Sequence, residues 1–222
     1  MATLHDRFRA TVVRSEIVAQ ICAVYGPTEA ARAELDRALV TAADASGLRN
    51  SVCRLIARHW GQEVMFQALR SHPELRTLGW LQLAEIPELT ECPSGAEFPE
   101  LVELSLCGCT GLSGPEILGR LQGMINLGVL LLDDCRELTQ APSGADCPSL
   151  GNLSMDGCTG LKGPDSLRPL AGMTKLQYLY IRGCTGLEGV DVPALMKELG
   201  LTCNVFGPKP EEAHIHPQGS PF

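Results

Sequence analysis

Ten cysteines are the residues of this 222-residue chain that could most readily do chemistry, as disulfide partners, metal ligands or nucleophiles. No Cys-x-x-Cys pair occurs, and of the closest pair we expect Cys107 to face outwards and Cys109 to lie in the buried turn where the chain leaves the strand. The first twenty residues lack the apolar segment of a secretory signal, so we expect free, reduced thiols and no structural zinc. Cys107 should face outwards, but no histidine lies between His72 and His214 to activate it as a nucleophile.

Other patterns with chemical potential are weaker. His214 and His216 could ligate a metal, but a polar tail rich in proline is more often simply flexible. The paired acids Asp133 and Asp134 have no basic or nucleophilic companion for acid–base work. The glycines are spaced as turn residues and do not form a phosphate-binding loop. We therefore expect no enzymatic activity, no cofactor and no bound metal.

The distribution of charge argues against a nucleic-acid partner. The formal net charge is −8, and residues 75–222 hold all of it, with nine Lys or Arg against eighteen Asp or Glu. Phosphate binding needs a basic face, so a nucleic-acid partner is disfavoured. The longest aliphatic run, residues 129–132, is far too short to span a membrane. We expect a cytoplasmic protein.

Apolar residues recur through the second part of the chain with a fixed spacing. Each unit begins with a leucine, and further apolar residues follow 3, 5, 8 and 11 positions later; we call these positions offsets 3, 5, 8 and 11. An internal repeat of this period indicates stacked units that bury their apolar residues against one another. Five units follow the pattern, beginning at Leu78, Leu101, Leu127, Leu150 and Leu176.

The units have two alternating lengths, 23 and 26 residues. The shorter units contain Pro-Ser-Gly-Ala at 93–96 and 142–145 and should cross the back of the fold in extended or turn conformation. In the longer units, Pro115 and Pro164 suit the first position of a helix. A register that begins at Leu75 also fits the first unit, but Leu78 aligns the two Pro-Ser-Gly-Ala segments.

The spacing L-x-x-L-x-L-x-x-C-x-x-L resembles the leucine-rich repeat family, and its cysteine resembles the cysteine-containing subclass and the repeats of plant disease-resistance receptors. The resemblance covers about residues 75–205. It implies an α/β solenoid with a curved parallel sheet on its concave face, short helices and turns on its convex face, and a use in protein recognition. A small, apolar thiol suits a buried turn, so we predict a buried ladder of Cys109, Cys135, Cys158 and Cys184.

Three regions are predicted. Residues 1–74 should form an α-helical cap or a separate docking module, residues 75–206 about five to six repeats, and residues 207–222 a flexible tail. Within the first region we expect four helices, over about 4–21, 28–43, 46–60 and 62–71. A last, degenerate unit should add a helix around Leu195 and a strand around Cys203. Cys53 lies in a segment faintly similar to the end of an F-box, whose opening Leu-Pro is missing here.

The residues between the leucines should face the concave surface, where an acidic centre is flanked by aromatic residues. We expect this surface to bind a protein partner with a basic segment, although acids on an exposed face also serve solubility. The alternative is an adaptor of ubiquitin-ligase type, or a host-directed effector, whose helical part recruits a second protein. We expect a monomer. The candidate site residues are Trp80, Gln82, Glu103, Asp133, Asp134, Asp156, Tyr178, Tyr180 and Arg182.

Overall fold

The computed structural model describes residues 45–71, 78–114 and 118–207. Two of the four helices predicted before residue 74 fall in these ranges, and both have the predicted bounds to within one residue. The two earlier helices, the alternative start at Leu75, the proline at 115 and the histidines of the tail lie outside the described residues. The α-helices are α1 (Ala45–Trp60), α2 (Gln62–Ser71) and α3 (Val192–Glu198).

The described strands form one open, six-stranded parallel sheet, so the fold is of the α/β class. The strands follow one another across the sheet in sequence order. Their central residues, from Leu81 and Leu104 through to Val205, are aligned in register, which confirms the first unit that begins at Leu78. The strands are β1 (Trp80–Gln82), β2 (Glu103–Ser105), β3 (Val129–Leu131), β4 (Asn152–Ser154), β5 (Tyr178–Tyr180) and β6 (Asn204–Phe206).

The core lies directly behind this sheet. All twenty-five positions of the repeat pattern are buried, and the most exposed of them, Leu176, is 4% exposed. Because each strand has only three residues, a single unit buries little apolar surface alone, and the core forms by contact between successive units. The terminal unit predicted after residue 187 is also present, as α3 and β6.

The two unit lengths reflect two kinds of segment behind the sheet. In the longer unit the helix begins at Pro164, as predicted, but Pro164–Leu170 is a 3-10 helix and not an α-helix. Pro169 lacks the N–H that an α-helical hydrogen bond would need at that point. In the shorter units, Gly95 and Gly144 lie against the backbone of the following longer unit. The other described 3-10 helices are Leu118–Leu121 and Thr185–Leu187.

Helices α1 and α2 share the core of the first repeat unit. Met65 and Phe66 belong to the same apolar cluster as Leu78. The Gln62 carboxamide oxygen accepts hydrogen bonds from the backbone N–H groups of Thr90 (2.8 Å) and Glu91 (3.1 Å), while its amide nitrogen donates to the Thr90 hydroxyl (2.9 Å). The first residue of α2 is thus hydrogen-bonded to the first unit, and the helix also packs against that unit through apolar contacts.

Candidate functional site

The exposed side of the sheet carries most of the residues predicted to face a partner. We call it the strand face: the first and third residues of each of β1–β6, which lie on either side of the aligned central residue. Five predicted site residues lie on it. The side chains of this face are most exposed at its two ends. Nearer the middle, the third residues of β2 and β4, Ser105 and Ser154, are buried. The five are Trp80, Gln82, Glu103, Tyr178 and Tyr180.

Three stacked aromatic rings form one end of the strand face. The rings of Tyr180 and Phe206 are 4.8 Å apart and nearly parallel, and the rings of Tyr178 and Phe206 are 6.5 Å apart. The Arg182 guanidinium lies 5.6 Å from the centre of the Tyr180 ring. Tyr178 and Phe206 remain 40% and 41% exposed. Phe206 was missing from the sequence-based set, although strand alternation around Val205 places it on this face.

Asp133 and Asp156 follow their strands and bind the next unit. Asp133 Oδ1 accepts hydrogen bonds from the Ser154 hydroxyl and from the backbone N–H of Asp156 (2.9 Å). Asp156 Oδ1 accepts in turn from the backbone N–H of Arg182 (2.6 Å), and its Oδ2 lies 3.4 Å from the Arg182 Nε. These two carboxylates therefore hold successive units together, which is a structural role that the sequence did not reveal.

Asp134 lies at a turn and not on the sheet. Its φ of 57° is left-handed, as are the φ values at the equivalent position of the other four units. Glycine tolerates this conformation best and aspartate better than most residues, which suits four of the five residues at this position but not Glu85. Asp134 Oδ1 accepts a hydrogen bond from Arg136 Nη2 at 3.4 Å. The equivalent residues are Glu85, Gly108, Gly157 and Gly183.

The four carboxylates do not form the single acidic centre that the sequence suggested. Glu103 is aligned with Trp80 and with Val129 on its two neighbouring strands. Asp133 lies four positions beyond Val129, where the chain has already left the sheet. Glu103 is therefore separated from the two aspartates that link the units.

The predicted thiol ladder is confirmed. All four thiols are buried, and each donates a hydrogen bond to a backbone carbonyl of the preceding unit. Burial raises the pKa of Cys109 and Cys184 to about 11 and that of Cys135 to about 12, so these thiols stay protonated at neutral pH. The bonds are Cys109 to Leu83 (3.1 Å), Cys135 to Leu106 (3.2 Å), Cys158 to Leu132 (3.0 Å) and Cys184 to Met155 (3.0 Å).

Cys107 lies outside this ladder, as expected, because the left-handed turn at Gly108 (φ 72°) interrupts the strand alternation that would otherwise place it on the same face as Cys109. Its thiol is half-buried, accepts from the Ser105 hydroxyl (3.5 Å) and donates to Asp133 Oδ2 (3.8 Å). Burial raises the pKa of Cys107, which disfavours the thiolate that a nucleophile requires. In the described ranges, no group of three or more His, Cys, Asp or Glu is placed to hold a metal ion. None of the described helices is long and apolar enough to cross a membrane.

Comparison with known proteins finds matches among solved structures. No protein-family model and no curated protein matches the chain. A solved structure, the leucine-rich repeat domain of the type III effector XCV3220 (XopL), matches with 17% sequence identity and a TM-score of 0.32. The match covers 88% of this chain and 95% of that domain. At this TM-score the two backbones overlap only in part. The fold is therefore assigned from the strand register of the chain itself.

Proposed function

We propose that the chain is a leucine-rich repeat solenoid, capped by its N-terminal helices, that binds a protein partner without catalysis. The strand face would be the concave face of that solenoid. The aligned strands, the buried repeat positions and the thiol ladder support the solenoid. The shared core of α2 and the first unit supports a cap, because a solenoid needs its first layer of core residues covered.

The observation that carries the binding proposal is the placement of exposed apolar side chains. In the described ranges, five large apolar residues are at least 40% exposed. Trp80, Tyr178 and Phe206 lie on the strand face, and Val102 immediately precedes β2. Exposed aromatic residues concentrated on one surface are typical of the energetic centres of protein interfaces. Ile125 lies in the turn before β3 and, like Val102, outside the strand face.

A partner segment with basic residues suits this surface. The repeat region is acidic, and residues 78–114 contain six glutamates and no lysine or arginine. Complementary charge speeds encounter and makes it sensitive to salt. Since Asp133 and Asp156 already bind the next unit, the apolar residues would supply most of the affinity and the remaining carboxylates the preference for a basic segment.

Affinity capture from a lysate of the source cells tests the proposal. The baits are the wild type, the double variant Tyr178→Ser/Phe206→Ser, and Ile125→Ser as a control that removes an exposed apolar side chain outside the strand face. All three baits must show the same thermal melting. A protein retained by the wild type and by Ile125→Ser, but lost with the double variant, is the expected result. Retention of every captured protein by the double variant would show that the strand face is not the binding surface.

A further inference from the structure

Trp80 and Glu103 stand side by side at the other end of the strand face. They are register partners on β1 and β2, and the next pair along, Leu81 and Leu104, is buried. Adjacent strands lie about 4.8 Å apart, and register partners in a parallel sheet project from the same face. Trp80 is 40% exposed, and Glu103 is also exposed. An indole ring and a carboxylate are thus presented together to solvent.

Glu103 differs from the other carboxylates of the predicted site. Asp133 and Asp156 accept hydrogen bonds from the backbone of the next unit, and Asp134 accepts one from Arg136. The Glu103 carboxylate has no hydrogen bond or ion pair within the described part of the chain. Its negative charge is therefore left for an external cation.

The surroundings of this pair are acidic. Of the six glutamates of residues 78–114, Glu91 and Glu97 are bound by Arg120, and Glu85 lies within 4.0 Å of Arg54. The arginines thus pair with three of these glutamates, whereas the Glu103 carboxylate on the strand face has no arginine or lysine partner among the described residues. A cation that approaches this end of the face meets a net negative field.

We infer that Trp80 and Glu103 form a subsite for one lysine or arginine side chain of the partner; this inference rests on the proposed function. The indole face attracts the cation through its quadrupole, and the carboxylate forms a charge-assisted hydrogen bond with it. Arginine suits the pair best, because its planar guanidinium can stack on the ring while its N–H groups reach the carboxylate. The aromatic residues at the opposite end of the face then bind an apolar part of the same segment.

A random peptide library displayed on phage, selected against the immobilised wild-type protein, supplies the probe. The selected sequence is synthesised, and its Kd is measured by calorimetry with the wild type, Trp80→Ala and Glu103→Gln. Glu100→Gln is the matched control, since it removes the same charge in the turn before β2. We expect selected peptides to contain a basic residue, and Trp80→Ala, Glu103→Gln or replacement of that residue by citrulline or norleucine to weaken binding about tenfold. Glu100→Gln should leave the Kd unchanged.

Three results would overturn the subsite. Peptides that bind Trp80→Ala and Glu103→Gln normally, but fail to bind Tyr178→Ser/Phe206→Ser, would remove the subsite and leave the proposed function intact. If Glu100→Gln and Glu103→Gln weakened peptide binding equally, the effect of Glu103 would be one of general charge and not of a specific subsite. Failure to select any peptide, or binding that no strand-face substitution affects, would overturn the proposed function and the subsite together. Thermal melting of each variant separates loss of binding from loss of folding.

Discussion

At the scale of single residues, the polar groups near the strand ends connect successive units. Backbone hydrogen bonds between units continue beyond each three-residue strand, as from the Leu132 N–H to the Ser154 carbonyl, and side chains add further bonds to the buried groups there. The thiol of Cys158 donates to the carbonyl of Leu132, and the carboxylate of Asp133 accepts from the N–H of Asp156. The cysteines and aspartates thus complete, from one unit to the next, the hydrogen bonding that the short strands begin.

The raised thiol pKa values predict a loss of stability at alkaline pH. Burial raises the pKa of Cys135 to about 12, whereas an unfolded thiol titrates near 8.5. The native thiol therefore keeps a proton that the unfolded thiol has lost. The free energy of unfolding should be unaffected by this group below about pH 8.5, and should fall by about 1.4 kcal/mol per pH unit for each such thiol as the pH rises towards the native pKa.

Urea unfolding between about pH 7 and pH 10.5 measures this dependence. The matched control is Cys135→Ala, which should be less stable at neutral pH. Its free energy of unfolding should fall less steeply as the pH rises, and the difference in slope should correspond to one proton. That difference isolates the thiol from tyrosine and lysine, which titrate in the same range. Parallel pH profiles for the two proteins would contradict the assigned protonation of the ladder.

At the scale of elements, close backbone contact explains the alternation of short and long units. A Cβ added at Gly144 would lie 2.4 Å from the carbonyl oxygen of Ala171 in the following long unit, and one at Gly95 would lie 2.3 Å from the carbonyl carbon of Gly123. The Pro-Ser-Gly-Ala segment can therefore fit closely behind the sheet only with glycine at its third position. One short and one long unit form the natural building block.

Gly144→Ala should destabilise the protein by about 2 kcal/mol, because the added methyl group meets backbone that cannot rotate away. Gly119→Ala is the control: its Cβ would meet nothing within 4 Å, and it lies in the 3-10 helix Leu118–Leu121. Its stability should be unchanged or slightly increased, since alanine reduces the freedom of the unfolded chain. The measurement is the shift in denaturation midpoint; equal shifts for both variants would disprove the close contact.

The elements that repeat were predictable from sequence, and those fixed by a single contact were not. The period of the leucines and the alternation within each strand defined the six strands and the buried cysteines. The 3-10 character of Pro164–Leu170 fits the missing N–H of Pro169, a signal present in the sequence that the helix prediction did not use. The roles of Asp133 and Asp156 depend on where the next unit directs its N–H groups, which no spacing within one unit encodes. Phe206 could have been predicted, because strand alternation around Val205 places it on the strand face.

At the scale of the whole molecule, one apolar cluster joins the N-terminal helices to the last repeat. It includes Cys53 of α1 and Leu201 just before β6. This continuous core holds the two ends of the strand face at fixed separation. The central claim of the proposed function is that a protein partner binds through this face, where the acidic end at Trp80 and the aromatic end at Tyr178 and Phe206 would contact the same extended segment.

Site-specific photo-crosslinking in the source cells tests that claim most directly. A benzoylphenylalanine replaces Tyr178 in one variant and the more exposed Ile125 in another, and adducts are detected after irradiation. The account predicts a defined protein adduct from position 178 that is absent from position 125 and is reduced when Phe206→Ser is added. Adducts from position 125 alone, or from neither position, would contradict binding through the strand face.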